Sequence, residues 1–576
     1  MTKPIQSDIL SSIALCIIDA AWEEARRNPV VQEQLGIPWV RLPDVSLAEA
    51  ERRSRVGRAL LERANAIDSD ALPHDLALTL RLVRFRAQSW AREAEGYWTV
   101  IDPLGEGFPG MFLPTAYCGG FLLNFINDCL AKFRFLESGD CDRYLALVAD
   151  YARLVEQFAA RTAGQAERGM RAPKVQVLQA RALMKAFKAG VKAAVGVAPE
   201  RLAEVSSAHF VRELESRIAA RLEPAFDRVL AVLSDEYLAA SPDSVGLSQY
   251  KEGGEIYAAL VKLHTTLDLA PEEVHQRGLA RMTEIEAEMQ AIRSELGFKG
   301  DGAAFLAHLD ADPRWRAPTV EGVTAVFQRY IDRFKPHFND YFSTAPKASY
   351  GVAPLPEALQ GSMTFGYYDQ PRPGRNQGLY RFNPSHLTKR ALFTLGSLTY
   401  HELVPGHHLQ VATQQEHALL HPLRAHSLLA AYCEGWAEYA ATLAGEVGMY
   451  EQPEERYGRL VNHAFLTCRL VVDTGMNALG WSLERARDYM RTHSGLPEAE
   501  ILTESVRYSC DIPAQSLAYK IGDAEIVSMR ERMRQALGAR FDIKDFHAAV
   551  LGPGALPLPD LQWHLDCETR RLAGLT

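Results

Sequence analysis

Four things are missing from these 576 residues: a Cys-x-x-Cys pair, an excess of positive charge, an uninterrupted apolar segment of bilayer length, and any repeat or low-complexity tract. Each absence removes a class of protein. The eight cysteines (Cys16, Cys118, Cys129, Cys141, Cys433, Cys468, Cys510 and Cys567) are scattered, which is the usage of a reducing compartment, where a cysteine serves as a small buried hydrophobe. Lys and Arg number 63 against 72 Asp and Glu, a net charge of −9, so no basic footprint exists for nucleic acid or an anionic membrane surface. No apolar run reaches the roughly 18 residues of a membrane span. The longest candidate near the start, Ile9 to Ala21, is interrupted by Asp19 and lacks a small-residue cleavage site, so it reads as an amphipathic helix and a cytoplasmic location is expected. What is present is 47% hydrophobic and 23% charged residues, the composition of a soluble globular chain able to bury a large core.

From Ser46 to about Phe342 the apolar residues recur at helical intervals: Leu76, Leu80, Val83, and again Leu147, Tyr151, Leu154. Asp102 to Gly110 and Lys299 to Gly302 break the pattern as loops. Between Ala345 and Asn383 the composition shifts to Gly, Pro, Tyr and Phe, and the short aromatic segments Ser362 to Tyr368 and Gly378 to Phe382 predict a hairpin. Ser385 then reads as the N-cap of a helix with Leu387, Ala391, Leu392, Leu395 and Leu398 as its buried stripe, and helical pattern resumes from His407 to the end. The expected fold is mainly α with one small sheet: an N-terminal helical lobe, 1–345, and a C-terminal catalytic lobe, 346–576, packed around a channel.

The richest chemistry lies in Tyr400-His401-Glu402-Leu403-Val404-Pro405-Gly406-His407-His408, three histidines and a carboxylate at the end of an apolar helical run. In the H-E-x-x-H motif of zinc hydrolases, two histidines one turn apart share a helix face and the Glu activates water. The spacing here differs. At about 100° per residue, His401 and His407 fall roughly 120° out of register on a straight helix, whereas His401 and His408 share a face but lie about 10.5 Å apart. Pro405 removes the amide that would bond the His401 carbonyl, and Gly406 permits almost any backbone angle, so the helix should break here and let a later histidine swing back. His407 needs the smaller excursion; His408 is the alternative. A rival pair, His417 and His421 beside Glu416, is followed at once by Pro422 and reads as a surface helix end.

Around this cluster the chain resembles the domain-of-unknown-function 885 family, a branch of the zincin metallopeptidase clan. The resemblance is carried by Arg372-Pro373-Gly374, Tyr380-Arg381-Phe382-Asn383, the histidine cluster, Glu434-Gly435-Trp436-Ala437, Arg469 to Gly475, Arg507-Tyr508, Pro513-Ala514-Gln515, Tyr519-Lys520-Ile521-Gly522, Phe541-Asp542, Phe546-His547 and Gly554 to Leu558. Two positions depart from the family pattern. Asn477 stands where a histidine usually follows the Thr-Gly pair, and Ala441 where a glutamate is frequent.

The resemblance implies a helical zincin-like architecture and one zinc ion held by His401, His407 and Glu434, with Glu402 as general base and Glu438 in an ion pair or facing solvent. Tyr519, with Tyr508 and Arg507 behind it, is the candidate donor to a developing oxyanion, and Asn477 a weaker one that lacks a histidinium's charge. Arg381, Arg507 and Lys520 are candidate substrate contacts, Arg381 and Lys520 for a substrate carboxylate. The hairpin edge can pair with an extended backbone, which favours a peptide or small amide substrate. The resulting expectation is a zinc-dependent hydrolase of peptide or peptide-like amide bonds. An amidase or acyl transferase acting on a small metabolite, and a metal-free helical binding protein, are the alternatives, and oligomeric state stays open.

Overall fold

Helical periodicity governs nearly the whole chain, and the result is a mainly helical protein with one small three-stranded sheet. The structure, a computed structural model, describes residues 3–105, 109–137, 139–202, 208–360, 366–385, 387 and 391–575. The main helices of the N-terminal half are α1 (Lys3–Ala25), α2 (Leu47–Asn65), α3 (His74–Ala91), α4 (Gly139–Glu167), α5 (Lys174–Val195), α6 (Pro271–Glu295) and α7 (Val320–Phe334). Local chemistry marks their ends. Ser46 caps α2 by accepting the Glu49 amide, and Thr319 caps α7 by accepting that of Gly322, each satisfying an N–H that the helix leaves unpaired. The stretch from Ile9 to Ala21 lies within α1, buries Ala14, Ile17, Ile18 and Ala21, and leaves Ile9 and Ile13 exposed. Among the described residues no helix is long and apolar enough to cross a membrane, and no two cysteines form a disulfide.

The sheet comprises β1 (Ser349–Pro354), β2 (Gly366–Asp369) and β3 (Gln377–Phe382), in the order β1-β3-β2. β2 and β3 form the expected antiparallel hairpin, with Tyr367 opposite Arg381 and Tyr368 opposite Tyr380. The expected first strand began at Ser362; residues 361–365 lie outside the described residues. β1 runs parallel to β3, with Tyr350 opposite Gly378. Sequence pattern did not reveal it, because a parallel partner is chosen by tertiary packing and carries no turn signal.

The C-terminal half contributes α8 (Leu395–Glu402), α9 (His407–Glu416), α10 (Ala430–Glu446), α11 (Pro453–Asn477), α12 (Ala518–Leu537) and α13 (Leu558–Leu572). A helix was expected from Ser385, but residues 386 and 388–390 lie outside the described residues; α8 begins at Leu395. Before it, the Leu392 amide donates to the Trp315 carbonyl, and the Phe393 carbonyl sits 2.1 Å from where a Cβ on Gly458 would be. The chain is held against α11 there and its backbone is already committed. Apolar residues gather in two large cores. One joins Ile17, Leu80 and Phe327 to Tyr400, Trp436, Ile526 and Leu561; the other joins Tyr144, Phe158 and Tyr257 to Leu470, Leu517 and Ile521. Both cores cross position 345.

Candidate metal centre

The helix breaks where Pro405 and Gly406 predict. The Leu403 amide still bonds the Thr399 carbonyl at 2.9 Å, closing the last turn of α8, and α9 restarts at His407. A Cβ on Gly406 would meet the His401 carbonyl oxygen at 1.9 Å, so only glycine permits so tight a return. The Val404–Pro405 peptide is cis, and the indole Nε1 of Trp436, in α10, donates to the Pro405 carbonyl at 3.0 Å. The doubled-back chain brings the rings of His401 and His407 to 4.8 Å between centroids, at 88° to each other.

Glu434 projects from α10 into the same space. Its Oε2 lies 3.7 Å from His401 Nε2 and 3.2 Å from His407 Nε2, and one ligand atom from each of the three residues lies within 4.8 Å of the others. Tetrahedral N and O ligands about 2.0–2.1 Å from zinc stand about 3.3 Å apart, and the two observed distances bracket that value. Glu438, one turn along the same face of α10, accepts a hydrogen bond from His401 Nδ1 at 2.8 Å. This fixes the ring's orientation and turns Nε2 toward Glu434, so that a cation bound there would take the place of the proton on Nε2. Burial opposes a charge on His401, yet the Glu434 and Glu438 carboxylates outweigh it and raise its pKa to about 10. Burial also opposes ionisation of Glu434, which His407 and His401 nevertheless hold far below the usual carboxylate range. The pocket thus favours positive charge.

Two glycines set the distance between the helices that flank this pocket. A Cβ on Gly435 would lie 2.5 Å from Gly522 backbone atoms, and one on Gly522 would lie 2.0 Å from the Ala431 carbonyl oxygen. α10 and α12 therefore touch backbone to backbone, and Glu434 and Tyr519 are both brought next to His401. The Tyr519 ring stacks nearly parallel to His401, 6.3 Å between centroids.

Of the two candidate second histidines, His407 faces Glu434, whereas His408 is fully buried with both ring nitrogens engaged. His408 Nε2 donates to the Ala348 carbonyl at 3.1 Å and Nδ1 accepts from the Tyr368 hydroxyl at 2.8 Å, so it anchors the sheet to α9. Glu402, at the end of α8, makes no hydrogen bond or ion pair among the described residues. Burial raises its pKa, the Glu434 and Glu438 charges add to that, and His401 and His407 offset part of it.

Five expected site residues are already engaged with the protein. Asn477, expected as an oxyanion donor, is fully buried: its Oδ1 accepts from the Leu247 amide at 3.0 Å, while its Nδ2 donates to Asp473 and, at 2.8 Å, to the Tyr508 carbonyl. No donor is left for a substrate. Lys520, expected as a substrate contact, lies 3.5 Å from Glu438 and pairs with Asp523, behind the His401 side chain it helps to orient. Arg381 pairs across the hairpin with Asp369 at 3.3 Å. Tyr508 is buried, accepts from Arg469 Nε at 2.7 Å and donates to Glu504. Arg507 is partly exposed and binds Gln515 Oε1 at 2.6 Å. Among the overlooked residues are Tyr368 and Glu504. Tyr368 lay in the aromatic strand pattern, but its contact with His408 depends on Gly378, where a Cβ would collide with both rings. The rival His417 and His421 do not share a helix. His417 follows the end of α9, and His421 accepts the Leu423 amide at the head of the next short helix while facing Asp19 at 3.2 Å.

Two solved structures share this fold. One is a Colwellia psychrerythraea protein described as a "putative lipoprotein", 24% identical over 98% of this chain and 99% of that one, with a TM-score of 0.83. The other is a Shewanella oneidensis protein described as a "putative lipoprotein of unknown function", 17% identical over 95% and 98% of the two chains, with a TM-score of 0.72. At these identities the likeness shows the fold alone. No curated protein matches the chain. A family profile described as "Bacterial protein of unknown function (DUF885)" matches residues 29–565, and the chain belongs to that family.

Proposed function

We propose that this protein is a zinc-dependent hydrolase of peptide or peptide-like amide bonds, built on a zincin-like helical arrangement. The observation that carries the reading is the convergence of His401, His407 and Glu434, one ligand atom from each within 4.8 Å of the others, with Glu438 holding His401 Nδ1. Two imidazoles and a carboxylate are a donor set suited to zinc at a catalytic site, where a fourth position stays open. Zinc bound there supplies Lewis acidity, which polarises a carbonyl and makes water acidic enough to attack near neutral pH. Glu402, raised in pKa by burial and without a hydrogen bond or ion pair among the described residues, takes the proton from the attacking water and returns it to the leaving amine nitrogen. Tyr519, beside His401, donates its hydroxyl proton in a hydrogen bond to the carbonyl oxygen as that oxygen gains charge. The outer edge of β2, whose Tyr368 ring lies 6.3 Å from that of His407, offers main-chain groups for an extended peptide.

The test joins metal analysis to kinetics. His401→Ala and Glu434→Ala should purify without zinc, whereas Glu402→Gln should keep about one equivalent and lose 10²–10⁴-fold in kcat on a generic peptide. More than about a tenth of wild-type kcat in Glu402→Gln removes that residue from the reaction. Under about 0.2 equivalents of zinc in the parent, with none retained on addition, points instead to a metal-free binding protein. Turnover confined to small-metabolite amides or acyl groups points to the amidase or transferase alternative.

A further inference from the structure

Behind Tyr519 two guanidinium groups share one carboxylate. Arg469, on α11, places Nη2 3.1 Å from Glu504 Oε2, and Arg507 places Nη1 3.3 Å from Glu504 Oε1. The Tyr508 hydroxyl also donates to Glu504, and Gln515 takes Arg507 Nη2 at 2.6 Å. Asp511 is turned to the Thr115 hydroxyl and to the Tyr117 amide at 2.9 Å. Arg469 is only 5% exposed, yet its Nη1 is buried with no hydrogen-bond partner among the described residues, and so is Nε of Arg507. Two positive charges thus face one bonded negative charge in a buried setting, which is costly unless an anion completes the pairing.

The cluster stands next to the metal pocket. The Arg469 guanidinium lies 4.7 Å from the centroid of the Tyr519 ring, whose near-parallel neighbour is His401 at 6.3 Å. Tyr519, Arg507, Tyr117 and Phe465 are partly exposed, so the cluster meets solvent on this side. These two steps put the Arg469 guanidinium at most about 11 Å from the His401 ring, a span that up to three extended peptide residues of about 3.3–3.6 Å each cover. The planar donor fork of arginine matches a carboxylate better than any other side chain does. The other two cations expected to contact substrate are taken, Arg381 by Asp369 and Lys520 by Glu438 and Asp523.

We infer that Arg469 and Arg507 form a subsite for the terminal carboxylate of the substrate, so that the protein acts on free C-termini and releases one to three residues. This rests on the hydrolase reading of the neighbouring pocket. The test separates the two by measuring binding without turnover. N-acetyl-alanylalanine and its C-terminal amide are titrated calorimetrically into the full chain, zinc-loaded and chelator-stripped. The acid should bind about 10-fold or more tightly than the amide in both forms, since hydrogen bonds to charged groups contribute about 1.5–3 kcal/mol. Arg507→Gln should abolish that preference and leave amide affinity unchanged; Arg507→Lys should keep part of it; Glu504→Gln, which frees both guanidinium groups, should strengthen it. Circular dichroism checks that each variant is folded. On a zinc-loaded sample, peptides with free C-termini should show a KM raised about 10-fold in Arg507→Gln with kcat little changed. Equal affinity for acid and amide in the stripped protein, or a preference that vanishes with the zinc, overturns the subsite and leaves the hydrolase reading standing. Carboxylate preference without turnover of any peptide sinks the hydrolase reading, and with it the inferred release of terminal residues.

Discussion

The side-chain amide of Asn477 joins three separate parts of the chain: Leu247, Asp473 and the carbonyl of Tyr508. Replacing it with alanine strands the Leu247 amide and the Tyr508 carbonyl in the interior, where each unsatisfied group costs about 1–3 kcal/mol. Asn477→Ala is therefore expected to lose about 2–4 kcal/mol of stability in urea unfolding while binding the same amount of zinc; unchanged stability would show that the segment relaxes to water. Glu438 makes the complementary case. Glutamine at 438 can still accept the His401 Nδ1 proton but carries no charge, so Glu438→Gln should weaken zinc binding about 10–100-fold. Competition with a chromophoric chelator reads this, and an affinity within twofold of the parent would reduce Glu438 to packing.

Helices α10 and α12 approach through Gly435 and Gly522, and the pocket depends on that separation because Glu434 and Tyr519 sit beside the contact. A methyl on Gly435 would lie 2.5 Å from the Gly522 backbone, which cannot yield as a flexible side chain would. Gly435→Ala should therefore lose about 1–3 kcal/mol or more and weaken zinc binding as Glu434 is pushed aside. Gly190, in α5, has no atom within 4 Å of the same position, so Gly190→Ala should gain up to about 1 kcal/mol from helix propensity. Thermal unfolding of the pair gives opposite signs if helix contact matters; losses of equal size would mean that both glycines serve some other purpose. The break between α8 and α9 obeys the same logic at shorter range, since Gly406 leaves room for the His401 carbonyl and no larger residue does.

Over the whole molecule, buried titratable groups set the response to pH. Burial lowers His264 to about 3 and His408, His547 and His564 to about 4, so in the folded state they stay neutral where unfolded histidines, near 6.5, take protons. Their contribution is complete above pH 6.5 and is lost as pH falls toward 4. Burial raises Asp473 and Asp511 to about 6 and Glu93 to about 7, so these three carboxyls hold protons more tightly when folded and their contribution falls as pH rises from about 4 to 7. Four histidines outnumber three carboxyls. Zinc-stripped protein should thus lose stability steadily from pH 6.5 to 4, measured as the thermal midpoint; a midpoint that rises on acidification would mean the histidines are hydrated. Because both cores cross position 345, this loss should appear as one transition in which the halves unfold together.

Residue chemistry and local backbone rules were legible from the chain alone. Helical periodicity placed most helices, the aromatic segments placed the hairpin, and Pro405-Gly406 placed the break, since each follows from interactions among residues close in sequence. His401, Glu402, His407 and Glu434 were named as site residues by type, spacing and family resemblance, and the fold brings them together. Long-range packing settled the rest. His408 was separated from His407 by Tyr368 and Ala348, 40 and 60 residues away. Asn477 and Lys520 lost their expected roles to partners on other elements, and α8 starts at Leu395, after backbone that Trp315 and Gly458 claim. A side chain's chemistry belongs to its residue type, but whether a donor, a lone pair or a charge remains available depends on which distant groups the fold sets against it.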